Sequence, residues 1–447
     1  MVRRGSGAII ANAFVQNSNV TAQTNKMKTR IISTIFLIMA IASVGRAQKN
    51  REAHPANQAS AAAPSSHHEI KPSDLPPAKL ENDVTNGPRV VPRPEGAKLN
   101  LPPGFEATTF AEGGFTRPRW MALAPNGDVF LSDSAPPGKI IILRDTNKDG
   151  VADERFTFVD NQLQPFGVAF WKDYLYVGNT NAVVRFAYKP GQTKASGSGE
   201  KIADLPGQGY REHWTRNILF SPDGKKMYVT VGSETNVNVE ADPMRATIME
   251  YNPDGTGKRI FASGTRNPIG LAWLAGRRMW AAVQERDRLG DDLPPDYVTE
   301  IKDGGFYGWP YAYNGPNEDP RHPGERPDLV KKTIIGDVLI QAHSAILGLV
   351  FYNSKMFPGE YRGNAFVALH GSWNRTRRTG YKIIRIRFKN GKPVGGYDDF
   401  LTGWMLDENR REVWGRPVGL LVLSDGSMLI TDDGANKIWR VTYRTGK

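Results

Sequence analysis

From Arg117 to Asp433, short hydrophobic runs come in pairs, and within each run the apolar residues alternate with the period of a strand rather than of a helix. Each pair opens on a polar residue or Pro, and a turn, usually Gly-bearing, separates the two runs. The copies read RPRWMALAPNGDVFLSDS from Arg117, QPFGVAFWKDYLYVGNT from Gln164 and HWTRNILFSPDGKKMYVTVGS from His213. RNPIGLAWLAGRRMWAAVQER follows from Arg266, SAILGLVFY with GNAFVALHGSW from Ser344, and GRPVGLLVLSDGSMLITDD from Gly415. The turns PNG, PDG and SDG are hairpin signals. The first three intervals are 47, 49 and 53 residues, the length of one four-stranded propeller blade, roughly 40–50 residues. The last two, 78 and 71 residues, place insertions in blades four and five. The pattern predicts an all-β, six-bladed β-propeller, with each copy supplying the two inner strands of a blade. Ring closure is expected from Phe105–Phe110 lying beside Lys437–Tyr443. A β-sandwich accounts for many short strands but not for a repeat of this length.

Ahead of the repeats the pattern is different. Lys26, Lys28 and Arg30 precede the apolar run Ile31–Val44, and Gly45, Arg46 and Ala47 follow it. A basic start, a short apolar stretch and small residues before a cut make an export signal. The run is too short for a membrane span. Residues 1–47 therefore read as a signal region with its natural start at Met27 and cleavage after Ala47. Residues 48–98, rich in Pro, Ala, Ser, Asn and His, read as a flexible, disordered tether, and residues 99–447 as the propeller. The expected location is periplasmic or secreted, without a stable membrane anchor. His54, His67 and His68 fall in the tether and are expected to take no part in chemistry.

Composition narrows the chemistry. The chain has no Cys, which excludes disulfides, thiolate metal sites, Cys nucleophiles and covalent c-type haem. Redox chemistry then needs a cofactor held without sulfur links. The net charge of +12 admits an anionic ligand or simply a basic surface; no run of Lys and Arg interleaved with aromatics points to nucleic acid.

The approaches to the inner strands, at the channel mouth, hold Gln164, His213, Arg266 with Asn267, His343 and Arg416. His213 is the candidate base, because neutral imidazole titrates near working pH. Arg266, Arg375, Arg378 and Arg416 would make a concave set of donors suited to carboxylates or polarised carbonyls. Separately, Asp145, Asn147, Asp149, Gly150 and Asp153 follow a calcium-loop spacing, with Phe156 rather than Glu at the twelfth position. The same residues also suit a polar hairpin turn.

RNPIGLAW (266–273), GGFYGWPY (304–311) and FVALHGSWNR (366–375) resemble motifs of the soluble PQQ-dependent glucose and sorbosone dehydrogenase family. The sorbosone branch is the nearer, through LGDDLPPDYVTEI (289–301), YRGNAFVALHGSWNR (361–375) and GRPVGL (415–420). The likeness runs over roughly residues 99–445. It implies a sugar or sugar-like substrate, PQQ over the channel mouth, a Ca²⁺ at the quinone edge and an external electron acceptor. By resemblance, His213 takes the substrate's hydroxyl proton, and Arg266 with Asn267 hydrogen-bond the quinone oxygens. Gln164 lies near the cofactor, while Arg416 and the stretch His370–Arg378, with Arg375 and Arg378, bind its carboxylates. Backbone oxygens of Arg286 and Asp287 hold the Ca²⁺. Two departures stand out: Arg416-Pro417-Val418 replaces an Arg-x-Arg pair, and bulky Trp214 follows the histidine where small residues are usual. The competing readings are a metal-dependent lactonase or other hydrolase, and a binding propeller without catalysis.

Overall fold

The computed structural model describes residues 66–81, 84–207 and 213–444; the expected signal region and the first part of the expected tether lie outside them. Six antiparallel sheets follow in chain order. Blade 1 comprises Pro118–Leu123, Val129–Asp133, Gly138–Arg144 and Glu154–Gln162. Blade 2 is built from Val168–Trp171, Tyr174–Asn179, Ala182–Ala187 and Glu200–Asp204, and blade 3 from Ile218–Phe220, Met227–Val231, Thr247–Tyr251 and Arg259–Ser263. Blade 4 takes Asn267–Leu274, Arg278–Gln284, Asp296–Glu300 and, beyond an insertion, Val338–Ile340. Blade 5 takes Ile346–Phe351, Ala365–Leu369, Lys382–Ile386 and Tyr397–Leu401. Blade 6 is completed from both ends of the domain: Pro417–Val422, Met428–Asp432 and Lys437–Tyr443 are joined by Phe105–Glu112, with Phe105 opposite Tyr443.

A hydrophobic cluster fills each seam between neighbouring blades. Between blades 1 and 2, for example, Phe130, Ile142, Phe166 and Leu175 are buried together, and between blades 6 and 1 Leu131, Leu429 and Ile438 do the same. Inner strands approach one another so closely that some positions admit no side chain. A Cβ on Gly270 would lie 2.5 Å from the Leu347 carbonyl oxygen of blade 5, and one on Gly348 would lie 2.4 Å from that of Val418 in blade 6. At other seams a short polar side chain reaches the neighbouring carbonyl instead: Asn217 donates to Ile269, Ser132 to Phe166 and Thr431 to Arg119. Those bonds satisfy carbonyls that the inner strand cannot pair within its own sheet.

The expected tether is corrected from Ser66 onward. His67 and His68 pair with Asp398 and Tyr397 on the outer edge of blade 5, and the His68 ring stacks on Tyr397. Leu75 and Ala78 pack on Leu289, Leu293 and Tyr313. Arg89–Val90 then runs parallel to Glu412–Val413. Composition had predicted solvent; a few apolar residues and backbone pairing were enough to dock the segment.

The candidate calcium loop takes the form of a polar turn, with Asp145 Oδ1 buried and unpaired. It is the hairpin between the third and outer strands of blade 1, and its side chains face its own backbone. Asp145 accepts from the Gly150 N–H, Asn147 from that of Asp149, and Asp149 from that of Val151. Asp153 takes both the N–H and the hydroxyl of Thr146. Among the described residues no three His, Asp or Glu side chains converge to hold a metal ion.

Candidate active site

The inner-strand approaches meet around a cavity of about 490 Å³, within the range typical of small-molecule sites. Arg117, His213, Arg266, His343 and Arg416 line it from blades 1, 3, 4, 5 and 6. The returns from the second strands add Gln284, Glu285, His370 and Asp433. Repetition of the blade therefore delivers five separate stretches of sequence to one mouth.

His213 is oriented by blade 3. Its Nδ1 lies 2.9 Å from Ser233 Oγ and 3.0 Å from the Ser233 carbonyl oxygen. The Ser233 hydroxyl itself donates to the Thr235 carbonyl, so Nδ1 carries the proton. Nε2 is left as a bare acceptor. Burial, then the charge of Arg266, hold the imidazole well below its usual pKa, so the ring is neutral at working pH. Gly232 sets the distance between this base and its neighbour: a Cβ there would lie 2.4 Å from His213 Cβ and 2.5 Å from Asn267 Oδ1. Arg216, fully buried, donates to the carbonyls of Pro206, His213 and Thr215 and fixes the backbone under the histidine.

Arg266 is nearly spent on the protein. It donates to the Glu285 carbonyl, to both oxygens of Asn236 and to Asp287, leaving one Nη1–H. Asn236 is the knot of this corner, because it also exchanges two bonds with the backbone of Asp287 and accepts from Trp309 Nε1. Asn267 donates to Gln284, and its Oδ1 is buried without a protein partner. Turning both amides over would keep that bond and present an N–H to the cavity instead.

Two buried charge clusters line the mouth. His343 lies 2.8 Å from the Gly290 carbonyl and 3.3 Å from Asp287. Burial opposes its charge, but the Asp287 carboxylate outweighs it and raises the pKa. In the second, Arg416 donates to His370 Nδ1 (2.9 Å), His370 Nε2 donates to Asp433 (2.8 Å), and Arg119 pairs with Asp433. Burial and Arg416 push the His370 pKa down to about 4. Arg416 Nε is buried without a partner. Asp296, also on the cavity wall, is pushed up to about 7 by burial.

Other expected site residues stand elsewhere. Gln164 is buried, with φ +46° and neither amide atom paired, but it does not line the cavity. Arg375 is held by Asp291 and Asp292. Arg378 is fully buried and bonds Asn86, Tyr381 and the carbonyls of Ser372 and Arg410. Neither lines the mouth: carbonyls and acids of neighbouring segments, Asp291 and Asp292 for Arg375 and Asn86 and Arg410 for Arg378, take their donors first. Arg286 is buried in a pair of salt bridges with Glu285 and Asp319. The Asp287 carbonyl accepts from Asn236 and from the Arg321 guanidinium. That is the wrong surroundings for a cation, so the expected Ca²⁺ seat at Arg286–Asp287 is not offered by the turn as folded. In place of the second arginine that the family resemblance implies, Val418 is fully buried in core.

With this site in place, sequence comparison is decisive for ancestry. A sequence profile of the TrAA12-like family matches residues 99–293 and 330–444. The chain belongs to the TrAA12-like family. The gap in the match takes in the third strand of blade 4 and most of the insertion that follows it. A protein of Borreliella burgdorferi without an assigned role is 28% identical over 358 residues, which are 77% of this chain and 91% of the other. The pyrroloquinoline quinone-dependent pyranose dehydrogenase of Coprinopsis cinerea is 23% identical over 301 residues, 52% of this chain and 40% of that longer protein. Among solved structures, the family AA12 protein of Trichoderma reesei superposes with a TM-score of 0.68 at 20% identity, covering 80% of this chain and all of the other. At that identity the likeness is one of fold. Within the TrAA12-like match, His213, Ser233, Asn236 and Arg416 all fall inside the first or second matched stretch.

Proposed function

We propose that this chain is a PQQ-dependent oxidoreductase that oxidises a sugar or sugar-like alcohol, of the aldose or sorbosone type, and passes electrons to an external acceptor after export to the periplasm or medium. The observation that carries the reading is His213: a neutral imidazole whose proton is committed to Ser233 at Nδ1 and whose Nε2 is bare, on the wall of a cavity with unpaired donors and acceptors. The similarity to a PQQ-dependent pyranose dehydrogenase supports the choice of cofactor.

The residues present fit PQQ, a flat quinone bearing carboxylates. Arg416 carries a buried, unpartnered N–H and no carboxylate is bonded to it, so an anionic oxygen would complete it. Asn267 and Thr215 add unpaired buried oxygens on the same wall. When bound, PQQ supplies an o-quinone that accepts two electrons from the substrate. The chain supplies the rest. His213 Nε2 takes the hydroxyl proton, and as the ring becomes cationic its Nδ1–H stays on the Ser233 carbonyl. Arg266, fixed by four bonds, holds its remaining N–H and its charge in place without reorganising. His370 stays neutral between Arg416 and Asp433, which keeps the Arg416 guanidinium pointed at the mouth. No step is assigned to Ca²⁺, given the engaged Asp287 carbonyl.

A metal-dependent hydrolase needs free acidic ligands at the channel. Here Asp287 is bonded to Arg266 and His343, Asp433 to Arg119 and His370, and Glu285 to Arg286, while Asp296 accepts the backbone N–H groups of Glu285 and Ile346. The test is the His213→Ala protein. PQQ titrated into it should bind as in the parent, while dye-coupled turnover of an aldose panel falls by about 10²–10⁴-fold, the usual worth of a general base. Near-normal turnover removes His213 from the chemistry, and a parent protein that neither binds PQQ nor turns over leaves the binding-propeller reading.

A further inference from the structure

Residues 66–81 and 84–98 precede the family-matched region, yet they are fastened to the loops around the cavity. Lys79 N–H bonds the Leu289 carbonyl. Asn374 Nδ2 donates to the Val84 carbonyl, and Asn374 Oδ1 accepts from the Arg288 N–H beside Asp287. Arg411 reaches the Gly87 carbonyl. The chain ahead of the propeller is thus a strap across the loops of blades 4, 5 and 6.

Its central contact is Asn86. The Asn86 N–H donates to the Trp373 carbonyl at 2.7 Å. Nδ2 donates to the carbonyls of Arg375 (3.1 Å) and Thr376 (2.9 Å), and Oδ1 accepts from Arg378 Nη2 at 2.9 Å. One side chain and its own N–H thereby satisfy four groups of the 370–378 loop, and that loop puts His370, Gly371 and Trp373 on the cavity wall. Trp373 is 40% exposed. An exposed indole at the rim of a polar cavity presents a flat face to whatever occupies it. Without the Asn86 side chain, the Arg375 and Thr376 carbonyls and one Nη2–H of the buried Arg378 lose their partner at once, and the cheapest repair is for the loop to move to water.

We propose that Asn86 is a positioning residue of the active site: it holds the 370–378 loop so that Trp373 forms a wall against which the bound cofactor packs. The identity of that occupant rests on the PQQ reading above. The experiment is a PQQ titration into apo-protein, followed by fluorescence quenching, with hydrogen exchange of peptides covering 370–379. Parent, Asn86→Ala, Trp373→Ala and the double variant are compared as full chains. Asn86→Ala should keep the parent's circular dichroism, exchange faster in the loop and weaken PQQ binding roughly tenfold, about 1.4 kcal/mol. The acid limb of its rate profile should not move, because His213 is held by blade 3. Trp373→Ala should weaken binding to a similar extent, and the double variant should be no weaker than Trp373→Ala alone, since Asn86 acts through that residue. Unchanged exchange and affinity in Asn86→Ala, or additive losses in the double variant, overturn the proposal. If the parent itself binds no PQQ, the cofactor reading fails and exchange alone decides whether Asn86 braces the loop. Should Asn86→Ala not fold, Asn86→Asp keeps the acceptor for Arg378, removes both donors to the loop carbonyls, and is read the same way.

Discussion

A serine hydroxyl decides the state of His213. Because Ser233 Oγ gives its hydrogen to Thr235, it can only accept from the imidazole, and no carboxylate is bonded to the ring to favour its protonation. Burial and Arg266 then outweigh the Ser233 hydrogen bond and the charge of Asp287, which pull the other way, and keep the ring neutral. The rate profile of the parent should accordingly stay flat as pH falls through 6.5, the ordinary histidine value. Ser233→Asp puts a negative charge at Nδ1, raises the pKa and should move the acid limb to higher pH, with turnover at pH 8 changed much less. A limb in the same place in both proteins would show that His213 is not the group being titrated. Sequence reasoning reached His213, Arg266, Asn267 and Arg416 because each sits at the same point of the repeat. It missed Gly232 and Ser233, at the second-strand return of their copy, and Asn236 just beyond it, because they matter only for what folds against them. It misassigned Arg375 and Arg378 for the converse reason: an arginine reads the same in sequence whether it faces a ligand or a carbonyl.

At the scale of strands, the seams explain a feature of the repeat. Gly270, Gly348 and Gly419 occupy one position in their copies, and each lies against a carbonyl of the next inner strand, at 2.5, 2.4 and 2.4 Å from where a Cβ would be. Gly348→Ala must therefore push blade 5 from blade 6. We expect a loss of about 1–3 kcal/mol, the usual range for overpacking, measured by urea unfolding. The same substitution at Gly359, where nothing lies within 4 Å, should leave stability nearly unchanged. A Gly348→Ala protein as stable as its parent would mean that the seam yields more readily than its geometry implies. The 145–153 hairpin shows the opposite limit of pattern reading. Its spacing suits both a cation loop and a turn whose side chains cap their own backbone, and the bonds seen are those of the turn.

For the molecule as a whole, the buried clusters tie stability to pH. His370 is neutral in the fold with a pKa near 4, while in the unfolded chain it titrates near 6.5. Between those values the unfolded state binds a proton that the native state refuses. The contribution is complete above pH 6.5 and is lost as pH falls towards about 4. The parent's stability relative to His370→Gln should thus shrink across that interval, read as the difference in urea midpoint at pH 7.5, 6, 5 and 4; a constant difference would mean that His370 is not held neutral.

The sequence alone determined the all-β class, six blades, the two insertions and the strand closing the ring. Alternation and repeat length are local properties, and a blade buries its faces only by stacking on copies of itself. It also placed a polar ring at the channel mouth, since equivalent points in a closed ring must converge. Tertiary structure alone decided the rest. Which arginines keep a free N–H, which nitrogen of His213 holds its proton, and whether the segment from Ser66 floats or braces the cavity all depend on partners distant in sequence. A hydrogen bond has one geometry and many possible suitors, and only the folded chain chooses among them.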